Sequence, residues 1–278
     1  MKRLARAEGF TIVETLIVLA VTAGMFVVAA LAFSGQQEKT RFTQGTRDAE
    51  SKILDVANDV SAGFFAETDE WECLPSATSS PIVQRSSLGA GQGTNQACIF
   101  IGKALQFGPD DANCSNNCTT MRIATVVGHR TTTPASGTRD VETLAETRPG
   151  AAPSGSPYDE RYLLKYGLGA YRIINGDNGT LLGGIAFLSS LGVYEGTDPV
   201  GGSQVVGMYA LPGSGTLGIS ANTFDTNLVR AVRDRMRTAT ICFRDNRNGG
   251  RLAAVVLTEQ ATGIASNLIV DNVPAGCN

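Results

Sequence analysis

The sequence predicts an α+β fold: one long N-terminal α-helix followed by a C-terminal domain built on antiparallel β-sheet. Three observations lead there. No proline interrupts the chain from Phe10 to about Phe65, a stretch that is first continuously apolar and then apolar at helical spacing. Beyond it, short apolar segments recur between turns rich in Gly, Asn, Ser and Pro. The six cysteines all follow the helical stretch, as expected of an exported domain closed by disulfides.

The first element begins behind a basic leader, MKRLARAE, and reads GFTIVETLIVLAVTA over residues 9–23. The apolar run Thr15–Phe33 would span ~28 Å as a helix, close to the hydrocarbon thickness of a bilayer. Glu14 stands at its outer end, where a carboxylate in lipid costs a few kcal/mol and needs a reason to be there. A secretory signal peptide accounts for Lys2, Arg3 and Arg6 but not for the rest. The apolar core exceeds the ~7–15 residues of an ordinary signal, Gly9 precedes the run instead of following it, and Ala30–Ser34 match a cleavage site only loosely. A plain signal anchor with its basic residues cytoplasmic accounts for length and orientation. It leaves Glu14 and the Gly9–Phe10 junction without a role.

On the basic leader, Gly9, Phe10, Thr11, Ile12, Val13, Glu14 and the apolar helix behind them, the chain resembles the class III leader of type IV pilins and type II secretion pseudopilins. The resemblance covers roughly residues 1–60. It implies a leader peptide at 1–9, cleavage between Gly9 and Phe10 by a prepilin peptidase, and N-methylation of Phe10. It implies that Glu14 pairs with the N-terminal amine of a neighbouring subunit in a helical filament. The implied partners are other pilin subunits, the membrane assembly platform with its ATPase, and the lipid bilayer before assembly. The implied location is single-pass in the cytoplasmic membrane, then in a surface pilus or a periplasmic pseudopilus. The fold implied is pilin-like, with the helix packed on the β-sheet domain. Electrostatics agrees, because pairing a buried cationic amine with a buried carboxylate across subunits offsets both desolvation costs and sets the axial register. Thr15 stands where the family more often has Leu. The proline common about two turns further along is absent, with Gly24 and Gly35 as candidate flexible points.

The second half of the helix is amphipathic. Ile53, Val56, Ala57, Val60 and Phe64 recur at helical spacing, while Asp48, Lys52, Asp55 and Asp59 fall mainly on the other side. The helix is therefore expected over 10–65, with its transmembrane part at about 15–33 and a β-rich head over 66–278. Residues 66–95 read as loop, and their GAGQG patch (89–93) has neither the preceding strand nor the following Lys of a nucleotide site. Strands are expected at 98–107, 121–129, 162–174, 181–191, 204–211, 240–244, 251–259 and 264–272. Residues 131–160 read as a flexible exposed loop, and 221–239 as a helix through Phe224, Leu228, Val232 and Met236. Sequence order suggests the pairings Cys73–Cys98, Cys114–Cys118 and Cys242–Cys277 among 15 possible connectivities.

The chain carries a net charge of −3. Removing 1–9 deletes Lys2, Arg3, Arg6 and Glu8 and takes it to −5, which argues against binding polyanions over the whole surface. No enzymatic role, cofactor or metal is expected: there is one histidine, His129, and neither a Gly-x-Ser-x-Gly elbow nor an HExxH pattern. The oxygen-rich turns at Asn175, Asp177, Asn178 and Thr180 and at Asp110–Asp111 lack EF-hand spacing and read as solvated. Arg230, Arg233 and Arg237 would share a helical face, with Arg247 at a hairpin tip, a local basic patch able to meet DNA phosphates. The expected function is that of a filament subunit, minor or atypical by its length. The alternatives are a type II secretion pseudopilin and a DNA-binding minor pilin of a DNA-uptake pilus.

Overall fold

The computed structural model describes residues 11–63, 71–74, 76, 79–85, 98–108, 114, 117–133, 137–189, 206–213, 217, 227–247 and 250–278. Residues 1–9, the patch at 89–93 and Asp110–Asp111 lie outside them. The chain divides into two compact units, with the boundary between Thr43 and Gln44. Helix α1 (Ile12–Ser61) is 50 residues long and stays helical through Gly24 and Gly35. It stops where Gly63 enters the left-handed region at φ 66°, and the Gly63 amide donates to the Val60 carbonyl at 3.1 Å, a helix end suited to glycine.

In the second unit, residues 44–61 of α1 bury Thr46, Ala49, Ile53, Val56, Ala57 and Val60. This stripe follows from their i, i+3, i+7 spacing, and each large aliphatic side chain contributes about 1.5–3 kcal/mol on burial. The stripe's polar flanks are also held. Asp59 accepts from Lys103 at 2.6 Å and Lys52 pairs with Glu160 at 2.6 Å. Glu50 accepts from the Ser266 hydroxyl at 2.6 Å.

The strands are β1 (Trp71–Leu74), β2 (Ile82–Arg85), β3 (Cys98–Phe107), β4 (Thr120–His129), β5 (Thr131–Thr132), β6 (Arg139–Asp140), β7 (Gly150–Ala151), β8 (Asp159–Leu163), β9 (Leu168–Asn175), β10 (Leu182–Ser189), β11 (Val206–Pro212), β12 (Arg235–Met236), β13 (Thr238–Asp245), β14 (Leu252–Gln260) and β15 (Gly263–Val270). Every pairing among them is antiparallel. Among the described residues the larger sheet runs β12-β11-β10-β3-β4, with β7 and β8 both on the far edge of β4, and the second runs β15-β14-β13-β9. The protein is thus α+β, a long N-terminal helix with an antiparallel β-sheet domain.

All eight residues of β10 are buried, which is why its sequence is an unbroken small and apolar run without alternation. One face of the larger sheet packs Ile101, Ala124, Val126 and Leu188 against Leu144, Leu228 and Ala231. The two sheets meet edge-to-face at Phe107 and Phe243, whose ring centroids are 6.0 Å apart, a favoured aromatic geometry. In β3, a Cβ on Gly102 would lie 2.0 Å from the Phe187 carbonyl oxygen, and the β3–β4 register shifts at this point.

Four stretches differ from the sequence expectation. Residues 162–174 form two strands in two sheets, because Tyr166 and Gly167 turn with φ 59° and 76° and carry the chain from β8 to β9. Residues 131–160 hold β5, β6 and β7 and bury Leu144, Thr147, Ala152 and Tyr158. At their end, buried Asp159 pairs with buried Arg122 and also accepts from the Gly155 amide at 3.1 Å, so this charge is paired and hydrogen-bonded as burial requires. Within 66–95, β1 and β2 form a hairpin. Of 221–239, residues 227–231 are helical, and Arg235 and Met236 then pair as strand with Tyr209 and Met208. Met236 is fully buried, and that strand pairing outweighs the local helical period.

Candidate functional site

The functional candidate is the described beginning of the chain. Ile12–Ala29 is 18 residues long, apolar enough to cross a membrane, and none of it is buried. Phe26 is 79% exposed and Leu16 59%. A helix that is apolar all round and finds no cover in its own fold requires another apolar environment. Its few polar side chains are satisfied locally. The Thr15 hydroxyl donates to the Ile12 carbonyl at 2.8 Å, and that of Thr22 to the Val18 carbonyl at 2.9 Å. This back-bonding is what lets a hydroxyl sit in an apolar span.

Glu14 is exposed in the first turn of α1. The Glu14 amide donates to the Thr11 side-chain oxygen at 3.3 Å, so Thr11 is the N-cap and Glu14 the third helical residue. The T-x-x-E spacing is that of a capping box, and an anion in the first turn is favoured by the helix dipole. That spacing was available in the sequence, and it gives Glu14 a local role at the helix start as well as a charge at the edge of the apolar run. Gly9 and Phe10 lie outside the described residues.

A second cluster registers the other end of α1. The Tyr162 hydroxyl on β8 donates to the Asp48 carboxylate, and Lys165 pairs with the same carboxylate at 3.2 Å. The Nζ atoms of Lys52 and Lys165 lie 5.9 and 5.8 Å from the centre of the Tyr162 ring. The hydrogen bond from Tyr162, followed by the Lys165 charge, holds the Asp48 carboxyl below its usual value despite some burial. Burial, then the Asp48 contact, pushes the Tyr162 phenol well above its usual value. The sequence marked Asp48 only as a polar helix position, and its partners lie more than a hundred residues away.

The cysteines form Cys73–Cys98, Cys114–Cys118 and Cys242–Cys277. The last bridge joins β13 to the terminal turn, where the Tyr171 hydroxyl donates to the Cys277 carbonyl and Arg172 caps the Gly276 carbonyl at 2.5 Å. The four arginines of the basic patch are not brought together. Arg230, Arg233, Arg237 and Arg247 are exposed, but Arg237 lies in the link between β12 and β13 and shares no helical face with the first two. Arg237 and Arg247 flank opposite ends of β13, roughly 25 Å apart along an extended strand.

The Asn175–Thr180 turn uses its oxygens internally. Asp177 accepts from the Arg237 amide at 2.7 Å and the Thr238 hydroxyl at 2.8 Å. Burial pushes its carboxyl up, but these donors together hold it below its usual value. Among the described residues no three His, Cys, Asp or Glu side chains gather as a metal site. His129 is buried, with Nε2 3.0 Å from the Ser79 carbonyl oxygen, a placement that ties the β1–β2 loop to β4. Comparison with protein-family models, with curated proteins and with solved structures finds no match to this chain.

Proposed function

We propose that the chain is a structural subunit of a type IV pilus-like filament, minor or atypical in kind. It is inserted in the membrane through α1, cleaved between Gly9 and Phe10 by a prepilin peptidase and methylated on Phe10. It is then drawn from the bilayer by an assembly platform and its ATPase. The observation that carries this reading is the unburied apolar span Ile12–Ala29 with Glu14 at its outer end, in one helix with an amphipathic half that packs on a disulfide-bonded β-domain. Lipid covers such a span before assembly, and neighbouring helices cover it afterwards. Glu14 then has a task beyond capping: its carboxylate neutralises the new N-terminal amine of the next subunit, which fixes the stagger between them.

The test separates insertion from assembly. Glu14→Gln keeps the size of the side chain and removes the charge. The full-length variant is expected in the membrane fraction at the wild-type level, with filament yield in sheared preparations down at least tenfold. Wild-type filament yield would sink the pairing. Immunogold labelling then places the subunit: label along or at the tip of surface fibres supports a pilus, and its confinement to the periplasm supports a secretion pseudopilus.

A further inference from the structure

Strand β15 closes one side of the four-stranded sheet. It pairs with β14 from Gly263–Gln260 to Val270–Ala253 and has no strand on its other side. Beyond that ladder, no backbone group of 263–270 has a backbone partner among the described residues. In an antiparallel edge strand every second residue turns both its N–H and its C=O outward. Half of the eight residues of β15 therefore present unpaired backbone donors and acceptors.

Sheet edges are ordinarily blunted by charge, proline, shortness or cover. The other edges here follow that rule. β12 is two residues long, and β9 is bridged on its outer side at Cys118–Ala170 and Ile174–Leu181. β15 reads GIASNLIV, with no charge and no proline, and Ile264, Ala265, Leu268, Ile269 and Val270 are each half-buried.

We propose that β15 is a docking edge for β15 of a second copy of this chain, forming a continuous antiparallel sheet across a two-fold axis. The row of outward N–H and C=O groups selects an extended backbone, and the uncharged side chains select an uncharged strand. β15 meets both conditions itself. Directly opposed residues must share a sheet face, so the axis passes through a residue position and not between two. With Asn267 opposite itself, Ile264 faces the second copy's Val270 and Ala265 faces the second copy's Ile269. Asp271 then meets a glycine, Gly263, instead of another carboxylate. Shifting the axis to Ser266 or Leu268 sets Asn267 against Ala265 or Ile269 and loses apolar pairs. The interface uses only residues of the second unit and holds whether or not α1 assembles into filaments.

The test is disulfide trapping in the full-length chain in detergent. Opposed Cα atoms in such a pair lie about 4.5–5.5 Å apart, within the roughly 4.4–6.8 Å that a disulfide spans. Asn267→Cys is expected to give a covalent dimer under mild oxidation, at least tenfold above an Arg130→Cys control at another exposed position. Adding Ile269→Lys places a charge on each side of the axis and is expected to reduce the dimer at least tenfold. A monomeric Asn267→Cys chain with a freely reactive thiol would overturn the proposal. So would trapping of a different protein at that thiol, or dimer yield indifferent to Ile269→Lys.

Discussion

The two halves of α1 share a backbone conformation and differ in where their apolar surface goes. Over Ile12–Ala29 the helix is apolar around its whole circumference and none of it is buried. Over residues 44–61 a single stripe is apolar, with Ile53 and Val60 at 0% exposure. The flanks of that stripe hold Asp48, Lys52 and Asp59, each paired to a strand residue. Helix formation alone therefore does not decide function here. One half is satisfied by its own chain, and the other carries apolar surface whose 1.5–3 kcal/mol per large side chain is realised only by lipid or by other copies.

The sharpest way to break this comparison is to place the same charge in both halves. Ile53→Asp buries an unpaired carboxylate and leaves a space beside it, and is expected to cost about 3–5 kcal/mol. Denaturant unfolding of the full-length chain followed by the β-sheet signal would measure this. Leu16→Asp is expected to leave that transition unchanged and to cost about 2.5–3.5 kcal/mol of membrane insertion. Roughly a hundredfold less of the chain would reach the membrane fraction. If Leu16→Asp shifted the β-sheet transition, or Ile53→Asp did not, the division between the halves would fail.

Much of this contrast was legible in the sequence, because a helix writes its burial into a local period. Ile53, Val56, Ala57 and Val60 declared their stripe, and the run after Glu14 declared its lack of one. β3, β10, β13, β14 and β15 were legible as well, each an apolar segment bounded by turn residues. What failed was decided at a distance. Met236 has a helical period with Leu228 and Val232, yet its backbone pairs with Met208, and with that the shared face of Arg230, Arg233 and Arg237 disappears. Tyr162 and Tyr171 read as one strand, but the left-handed turn at Tyr166 and Gly167 sends them to different sheets. The capping role of Thr11 was missed although its signal is local. Attention to the cost of Glu14 in lipid obscured its benefit at a helix start.

A smaller effect sharpens the comparison at the packed half. Tyr162→Phe keeps the ring between Lys52 and Lys165 and removes the hydroxyl that donates to Asp48. The expected loss is about 1 kcal/mol, in the range for one hydrogen bond to a charged group that stays partly solvated. Denaturant midpoints of the two proteins at pH 7 would measure it. A loss as large as that of Ile53→Asp would mean that the polar flank, not the apolar stripe, dominates the packing of this half.

The smallest effect is in its pH dependence, and its sign follows from the same pair. The Tyr162 hydrogen bond, then Lys165, lower the Asp48 carboxyl in the folded chain. A depressed folded value contributes stability above the unfolded carboxylate pKa of about 3.9 and loses it as pH falls through the folded value. With its side chain 38% exposed, Asp48 is screened by solvent and this contribution is modest. Tyr162 is shifted the other way, upward, by burial and then by Asp48. Its contribution is complete below the unfolded phenol pKa of about 10 and is lost as pH rises toward the folded value. Asp177 and Glu146 are also held low by their own donors, so acid still destabilises the domain once Tyr162 is replaced. Tyr162→Phe is therefore expected to flatten the stability profile at both ends, slightly below pH 4 and more clearly above pH 10. The measurement is the difference between wild-type and variant midpoints across pH. A difference that stayed constant from pH 3 to pH 11 would show that neither group titrates through this contact, and that the hydroxyl serves packing alone.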